Sequence, residues 1–522
     1  MPREVLEANL KIGSAPAKNA SAFAEMLFRE YGLDESRRAD VRLETVSDTS
    51  TRVRVMNRLG SPWLEGWFSS ELQTDTPGVE DPAIIVRHST SDNCVRVLAR
   101  NYADSGFGLI EDLPHMSGLD PFPAVAVAQL NVGAEDLLFK VHDSFRDSDG
   151  LHNEDAIDEL CKVLALKFLD EGRTVDLFST ASVSCPDEFC SVARALYDRN
   201  AAGMAFGTPE PIKLSSAALL KALRHLAPYD LSASETDIKG RALQRVLAPA
   251  ARSGMGQFLT PGEVVDFIVA TIAPTPLERV LDPFCGSAHF LTATLRLASA
   301  SGNLASDYAA RHLFGIEKSR RMVRVASVDL AMAGDGHSNV LESDSLLPFD
   351  NYPHDFAPAC FDVVMTNPPF GCLLNDDAMN RLGRFELANG SSNGLPLEVI
   401  GLERAIQFLR PGGWLGIVVP EGILTNARAQ RVRAWLLRNC NLAGMVSLPV
   451  DTFMPFGASV RTAVLFARKK DTAEASNDDG RTFVARVDSV GYDGSGRAKG
   501  ENELTGLAHD MRRFFLESGW RQ

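Results

Sequence analysis

At 522 residues the chain is long enough for two to four domains, each with its own core. Its 45% apolar and 23% charged residues suit a soluble globular protein. The net charge of −15 argues against a protein that coats nucleic acid unaided, while leaving room for a local basic face.

The chain begins Met1-Pro2-Arg3-Glu4, without the apolar core of a signal peptide, and no apolar run approaches the length of a transmembrane helix. Its eight Cys are scattered with no Cys-x-x-Cys pair, Cys185 and Cys190 being the closest two, and read as reduced thiols of a cytoplasmic protein. Residues 1–132 suggest a small α+β extension. Ala20–Tyr31 has helical spacing, and Pro82–Val86, Val95–Ala99 and Phe107–Ile110 look like short strands. Residues 133–248 read as a helical domain. Ala134–Phe145 and Glu154–Leu169 carry apolar residues three and four apart, with Asn153 as a plausible N-cap. Asp187–Tyr197, Ser215–Leu226 and Gly240–Leu247 continue the pattern, which suits packing or partner contact.

From 249 to 470 strands alternate with helices. Val280–Asp282, His312–Glu317, Val340–Ser345, Phe361–Met365, Trp414–Val419, Leu442–Leu448 and Thr462–Ala467 are the expected strands. The helices between them are Leu291–Ala300, Arg320–Ala333, Leu397–Leu409 and Arg428–Arg438, and an amphipathic helix at Glu263–Ile272 precedes them. That order predicts an α/β class: a doubly wound, mostly parallel, seven-stranded sheet with helices on both faces. Residues 471–522 follow as an acidic linker (Asp471–Gly480), a strand-like run Thr482–Val490, a Gly-rich turn Gly491–Gly500 and one amphipathic helix. In that helix Leu507, Met511, Phe514 and Phe515 form an apolar face read as a partner contact, the alternative being that the helix packs back on its own sheet. Two basic clusters, Arg311, Lys318, Arg320, Arg321 and Arg324, then Arg428, Arg431, Arg433 and Arg438, read as solvated helix faces.

Candidate chemistry gathers at successive strand ends. Asp282 followed by Gly286 marks a turn where backbone approaches a ligand and a carboxylate is presented. Glu317 ends the next strand, where an acid grips ribose hydroxyls, and Asp344 after the third can accept from an adenine amino group. The fourth strand runs into Asn367-Pro368-Pro369-Phe370. Two prolines remove two backbone donors and fix φ, so the turn is rigid. The Asn367 side-chain carbonyl and the Pro368 backbone carbonyl can together accept both hydrogens of an exocyclic amino group, with Phe370 as a flat stacking face. A plain Asn-Pro turn is the alternative.

Together with Gly256–Pro261, Leu409–Pro420 and Leu448–Phe466, these stretches resemble the N6-adenine DNA methyltransferases, specifically the modification subunit of type I restriction–modification systems, from about Glu135 to the end. The resemblance implies S-adenosylmethionine as cofactor: Phe258, Thr260 and Pro261 at its methionine end, Asp282, Gly286 and Ser287 as the floor, Glu317 at the ribose and Asp344 at the adenine. It implies in-line methyl transfer to the amino nitrogen of an adenine flipped from double-stranded DNA, with Asn367 and Pro368 holding that group and Phe370 on one face of the base. Phe453 or Phe456 would supply the opposing face. Where the family usually has a small residue, this chain has Ala288-His289, and His289 is read as structural. The implied partners are a separate DNA-specificity subunit, a second copy of this chain and a restriction subunit, with no membrane. Residues 82–102 are also similar to the nuclease-like domain of type I restriction subunits. The acid-x-Lys pair of that domain is replaced by Arg87-His88-Ser89, so no nuclease activity is expected. The alternatives are a protein-glutamine methyltransferase, which typically has Tyr after the prolines and lacks Gly-Gln-Phe-Leu-Thr-Pro, and a catalytically silent cofactor-binding scaffold of a defence complex.

Overall fold

The structure is a computed structural model that describes residues 16–29, 41–47, 50–56, 62–69, 84–89, 94–101, 106–110, 128–129, 134–171, 186–201, 210–226, 229–231, 243, 246, 259–300, 305–334, 339–374, 384–388, 395–471 and 480–521. Two compact units divide the chain. The first comprises Met1–His152, Lys162–Asn200 and Glu210–Ser234, and the second Asn153–Cys161, Ala201–Pro209 and Glu235–Gln522. Two of the divisions, at Cys161/Lys162 and Asn200/Ala201, fall inside the helices Asn153–Glu171 and Pro186–Ala201.

In the first unit, α1 (Pro16–Arg29) lies on a six-stranded sheet, β1 (Val41–Ser47) to β6 (Gly106–Ile110), whose strands follow chain order. Three of these, β1, β2 (Ser50–Met56) and β3 (Pro62–Ser69), have no counterpart in the sequence reading. They alternate charged and apolar residues, as in Val53-Arg54-Val55, so their apolar runs are short. The expected helices follow as α2 (Ala134–Asp149), α3 (Asn153–Glu171), α4 (Pro186–Ala201) and α5 (Ser216–Leu226). Asp149 accepts hydrogen bonds from the amide (2.7 Å) and hydroxyl (2.6 Å) of Ser215, joining the end of α2 to the start of α5. The helix expected at 240–247 lies outside the described residues except for Leu243 and Val246, which are buried.

In the second unit α6 (Gly262–Ile272) precedes a sheet of eight strands. Its order is β11 (Val340–Glu342), β10 (Leu313–Glu317), β9 (Val280–Asp282), β12 (Phe361–Thr366), β15 (Leu409–Pro420), β17 (Thr462–Lys469), β16 (Cys440–Ser447), β18 (Phe483–Arg486). All pairings are parallel except the two made by β17. Strand order reverses between β9 and β12, which are neighbours, and there the carboxyl ends open a crevice. Alternate strand residues feed two cores. Val363 and Met365 point to the layer of α6, α7 (His289–Ala300) and α9 (Arg320–Met332). Val364, Leu415 and Ile417 point to that of α10 (Leu397–Phe408) and α11 (Gln430–Asn439). Such strands, apolar on both sides, belong to a sheet covered on both faces.

Three expectations are corrected here. The sheet has eight strands instead of seven, because Phe483–Arg486 pairs in parallel with the open edge of β16. The terminal helix, α12 (Glu503–Glu517), does not offer its apolar face to a partner. Met511 and Phe515 are buried in the core beside α6, Leu507 and Phe514 pack against it, and Phe515 lies 5.2 Å from the Trp414 ring. The fit is close: a Cβ on Gly444 of β16 would stand 2.7 Å from Met511 Cε, so a side chain there would displace the end of Met511. The Gly-rich turn is the hairpin β19 (Val490–Tyr492) and β20 (Ala498–Asn502). The basic residues are not merely solvated either. Arg320 meets Glu342 (3.0 Å), Arg321 meets Glu154 (2.9 Å) and Asp155 (2.6 Å), and Arg324 forms a buried pair with Asp158 at 2.6 Å. Arg431 donates to the Glu386 carbonyl, Arg433 to those of Ile423 and Asn426, and Arg438 pairs with the Glu386 carboxylate.

If α12 is core, truncating Phe515 opens a cavity between the helix and Trp414. Phe515→Ala should therefore lower the unfolding free energy of the isolated chain by about 3–5 kcal/mol. Urea titration measures it; a loss near zero would return α12 to the role of a partner surface.

Candidate active site

The ends of β11, β10, β9 and β12 stand side by side, and each presents one polar residue. Asp282, at the end of β9, is 1% exposed. Its Oδ1 accepts from the Phe284 amide (3.0 Å) and from the Thr366 hydroxyl on β12 (2.6 Å), across the crevice. Burial pushes the Asp282 carboxyl up to about 7, the hydrogen bonds from Thr366 and Phe284 pull it down, and the nearby Glu317 charge adds to the rise. Glu317, also buried, ends β10. It accepts from the Gly286 amide (3.1 Å) and the Ser319 amide (2.6 Å), so the turn after β9 and the start of α9 share one carboxylate. Ser287 lies buried in the same turn. Ala288 follows with φ +64°, a left-handed conformation in which an alanine is strained.

Asp344, beyond β11, accepts from the Lys318 ammonium (2.8 Å) and the Leu346 amide (3.0 Å). Its loop is pinned from behind. The Tyr352 hydroxyl donates to the Asp344 carbonyl (2.8 Å), and the fully buried Arg404 donates to the carbonyls of Leu346 (3.1 Å) and Leu347 (2.9 Å). Arg404 lies 4.4 Å from the ring centroid of Phe349 and 4.7 Å from that of Phe385, which accommodates its charge away from water.

At the end of β12 the side chain of Asn367 is fixed by one bond. Its Nδ2 donates to the Thr260 hydroxyl at 3.0 Å. Its Oδ1 is buried and has no hydrogen-bond partner among the described residues. A buried acceptor without a donor costs about 1–3 kcal/mol, so this oxygen is set aside for a donor that arrives. Pro368 is buried against α10, where a Cβ on Gly401 would come within 2.8 Å of the proline ring. Phe370 is 9% exposed and meets Phe453 edge-on, ring centroids 6.3 Å apart and planes at 70°. Phe453 itself is fully buried, so it backs Phe370 and is not the opposing face expected of it; Phe456, three residues on, keeps partial exposure. Burial pushes the imidazole of His289 down to about 4, Arg296 lowers it further and a hydrogen bond with the Thr260 backbone raises it, so it is neutral near pH 7. It stands beside Gly262 and supports the Thr260–Gly262 segment, in keeping with its structural reading.

Thr260 and Asn367 are therefore joined directly, with Pro261 next to Thr260. Gly286 is joined to Glu317 by a hydrogen bond, Asp282 to Thr366, the neighbour of Asn367, and Asp344 to Lys318, the neighbour of Glu317. Phe258 lies outside the described residues. Sequence reasoning did not single out Thr366 or Arg404. Thr366 directly precedes Asn367 and could have been read as the last residue of the strand; Arg404 sits within an otherwise ordinary helix and carried no signal.

Residues 237–499, about half of the chain, match the family described as N-6 DNA Methylase. The chain is 26% identical over 263 residues to the type I restriction enzyme EcoEI methylase subunit of Escherichia coli, covering 48% of this chain and 50% of that one. It is 26% identical over 267 residues to the type II restriction enzyme and methyltransferase RM.BcgI of Heyndrickxia coagulans, covering 49% and 39%. The chain thus spans about half the length, or less, of these relatives. Among solved structures, a chain from a study of complex assembly in the type I R-M system shares the fold with a TM-score of 0.55 at 22% identity, covering 74% of this chain and 83% of that one. The type I restriction-modification methyltransferase subunit of Streptococcus thermophilus does so with a TM-score of 0.53 at 16% identity, covering 74% and 97%.

The raised Asp282 carboxyl makes a pH prediction. Between about pH 4 and pH 7 this carboxyl is ionised in the unfolded chain and still protonated in the folded one. The folded state then binds more protons, so the contribution of Asp282 to stability falls as pH rises through that window and levels off above it. The difference in unfolding free energy between wild type and Asp282→Asn should follow the same course. Urea midpoints at half-unit pH steps measure it, and a difference independent of pH would show that Asp282 ionises normally.

Proposed function

The chain belongs to the N-6 DNA methylase family, and on that premise we propose that it is the catalytic subunit of an adenine-specific DNA methyltransferase of type I restriction–modification kind. One observation carries this reading: the buried, unpartnered Oδ1 of Asn367, whose orientation the Thr260 hydroxyl sets. With one Nδ2 hydrogen donated to Thr260, the amide leaves Oδ1 as a buried acceptor without a donor. The prolines that follow hold the Pro368 carbonyl on a rigid turn. Two acceptors on one turn suit the two hydrogens of the exocyclic amino group of adenine. Holding that group draws the nitrogen lone pair out of the ring system and aims it, while Phe370 offers the flat face for the base.

The donor set at the neighbouring strand ends fits S-adenosylmethionine. Asp282 and Glu317 are buried acids that repel one another, and a cationic ligand bearing hydroxyl donors relieves that repulsion. Glu317 would take the ribose hydroxyls, Asp344 the adenine amino group, and Thr260 and Pro261 the methionine end, with Gly286 and Ser287 as floor. When bound, the cofactor supplies an electrophilic methyl group. Asn367, Pro368 and Phe370 then act by positioning; the amine becomes cationic on transfer and sheds its proton readily, so no strong base is required of the chain.

Reading several base pairs needs an element that enters the major groove. Among the described residues after β17, β18, the hairpin and α12 are taken up by packing within the unit. The charge of −15 also opposes solitary binding to a polyanion. We therefore propose a separate DNA-specificity subunit as partner, together with a second copy of this chain and a restriction subunit, with residues 133–248 as the contact surface. Among the described residues no helix is long and apolar enough to cross a membrane.

Asn367→Ala should reduce methyl transfer by a hundredfold or more, as is roughly typical for losing one preorganised partner of the reacting group, with cofactor affinity nearly unchanged. Thr260→Ser keeps the hydroxyl and should retain most activity, whereas Thr260→Val frees the amide to rotate and should not. Calorimetry and transfer of labelled methyl to plasmid DNA, with the neighbouring specificity subunit present, read both. Wild-type transfer by Asn367→Ala, or efficient site-specific methylation by the isolated chain, would respectively remove the clamp or the partner from this account.

A further inference from the structure

The loop Pro449–Ala458, which carries Phe453, is held from the C-terminal side. The Tyr492 hydroxyl on β19 donates to the carbonyl of Thr452 at 2.9 Å. Thr452 is fully buried, and its own hydroxyl turns back to the Pro449 carbonyl (2.8 Å). The amides of Phe456 (3.0 Å) and Ala458 (3.1 Å) both donate to the carbonyl of Phe453, so the loop closes around that ring. Further along the hairpin, Gly494 abuts Met454 and Asp451, and Gly496 abuts Pro455. Beyond it Asn502 caps α12, accepting from the Leu504 amide at 3.1 Å, and α12 is set in the core. A continuous line of contacts thus runs from the anchored terminal helix through the hairpin and the loop to Phe453, and from there edge-on to Phe370.

From this juxtaposition we infer that Tyr492 is a positioning residue for capture of the target base: it holds the Phe453 loop so that the plane of Phe370 stays fixed. This rests on the reading of Phe370 as a stacking face. Tyr492 itself is assigned no contact with base or cofactor. An aromatic ring gains from stacking only in a narrow range of orientations, and the edge contact with Phe453 selects one for Phe370. Burial, with the Glu263 charge beside it, pushes the Tyr492 phenol up, so it stays a donor at any physiological pH. The hairpin read from sequence as a mere turn becomes part of the base-binding wall.

Tyr492→Phe removes one oxygen and leaves the ring. In the full-length chain, amide exchange in Val450–Ala458 and at Phe370 and Gly371 should quicken, while α6 and cofactor affinity stay unchanged. In complex with the specificity subunit, the signal of 2-aminopurine at the target position and the KM for DNA should worsen about three- to tenfold, the factor that one hydrogen bond commands. The double variant with Phe370→Leu should be no worse than Phe370→Leu alone, because both act through one ring. Unchanged exchange would overturn the mechanical link. Faster exchange with wild-type base capture, or additive losses in the double variant, would overturn the positioning role. A wild-type complex that methylates no adenine would instead sink the underlying reading of the site and the positioning role with it, and the exchange data would still report whether the buttress exists.

Discussion

The hydrogen bond from Thr366 to Asp282 crosses the seam at which the strand order reverses. On one side β9, β10 and β11 carry Asp282, Glu317 and, just beyond the third strand, Asp344. On the other, β12 carries the Asn-Pro-Pro-Phe turn. Parallel strands place all these ends on one edge, and the seam is where two of them part and leave room for a ligand. The Thr366 hydroxyl ties the ends of β9 and β12 together, beyond the ladder that pairs Val363 with Val280 and Val364 with Leu281. It is fully buried, and its strand neighbour Asn367 inherits its position. A shift of the seam would therefore move the Asp282–Gly286 turn and the Asn367–Phe370 turn relative to each other, and the transfer proposed above tolerates little of that.

Several local costs gather at this edge. Asp282 is an acid with its charge form disfavoured by burial, Ala288 occupies a left-handed backbone conformation, and the Asn367 oxygen lacks a donor. Each costs on the order of 1–3 kcal/mol. They persist because the layers above and below the sheet are densely packed, with Arg404 and Tyr352 holding the Asp344 loop and α10 pressed against Pro368. Unsatisfied groups set in a rigid frame are what a site needs if its ligands are to supply the missing partners.

Much of the basic character of the second unit is paired within the unit itself, at the surface for Arg320, Arg321 and Arg438 and buried for Arg324. Residues that looked like a basic face, Arg320, Arg321 and Arg324, are engaged by Glu342, Glu154, Asp155 and Asp158. Those on α11 hold Glu386 and nearby carbonyls. These arginines are thus already paired within a chain of net charge −15. The terminal helix serves the fold and, through the hairpin before it, the wall behind Phe370.

Much of this was legible in the order of residues alone. The alternation of strand and helix from Gly262 to Lys469, the acids at strand ends and the stop imposed by Pro368-Pro369 are local facts, set by periodicity and by the backbone limits of proline. They specified the α/β class and named the candidate residues at the strand ends without any contact being known. What the tertiary structure decided are the relations between residues far apart in sequence. Thr260 and Asn367 are 107 positions apart, and only the fold shows that the first orients the amide of the second. Whether Phe453 faces a ligand or backs Phe370, and whether the apolar side of α12 meets a partner or Gly444, depends equally on what lies opposite. An apolar stripe states that a face will be covered; hydrophobic burial is non-directional, so the stripe cannot name the surface that covers it.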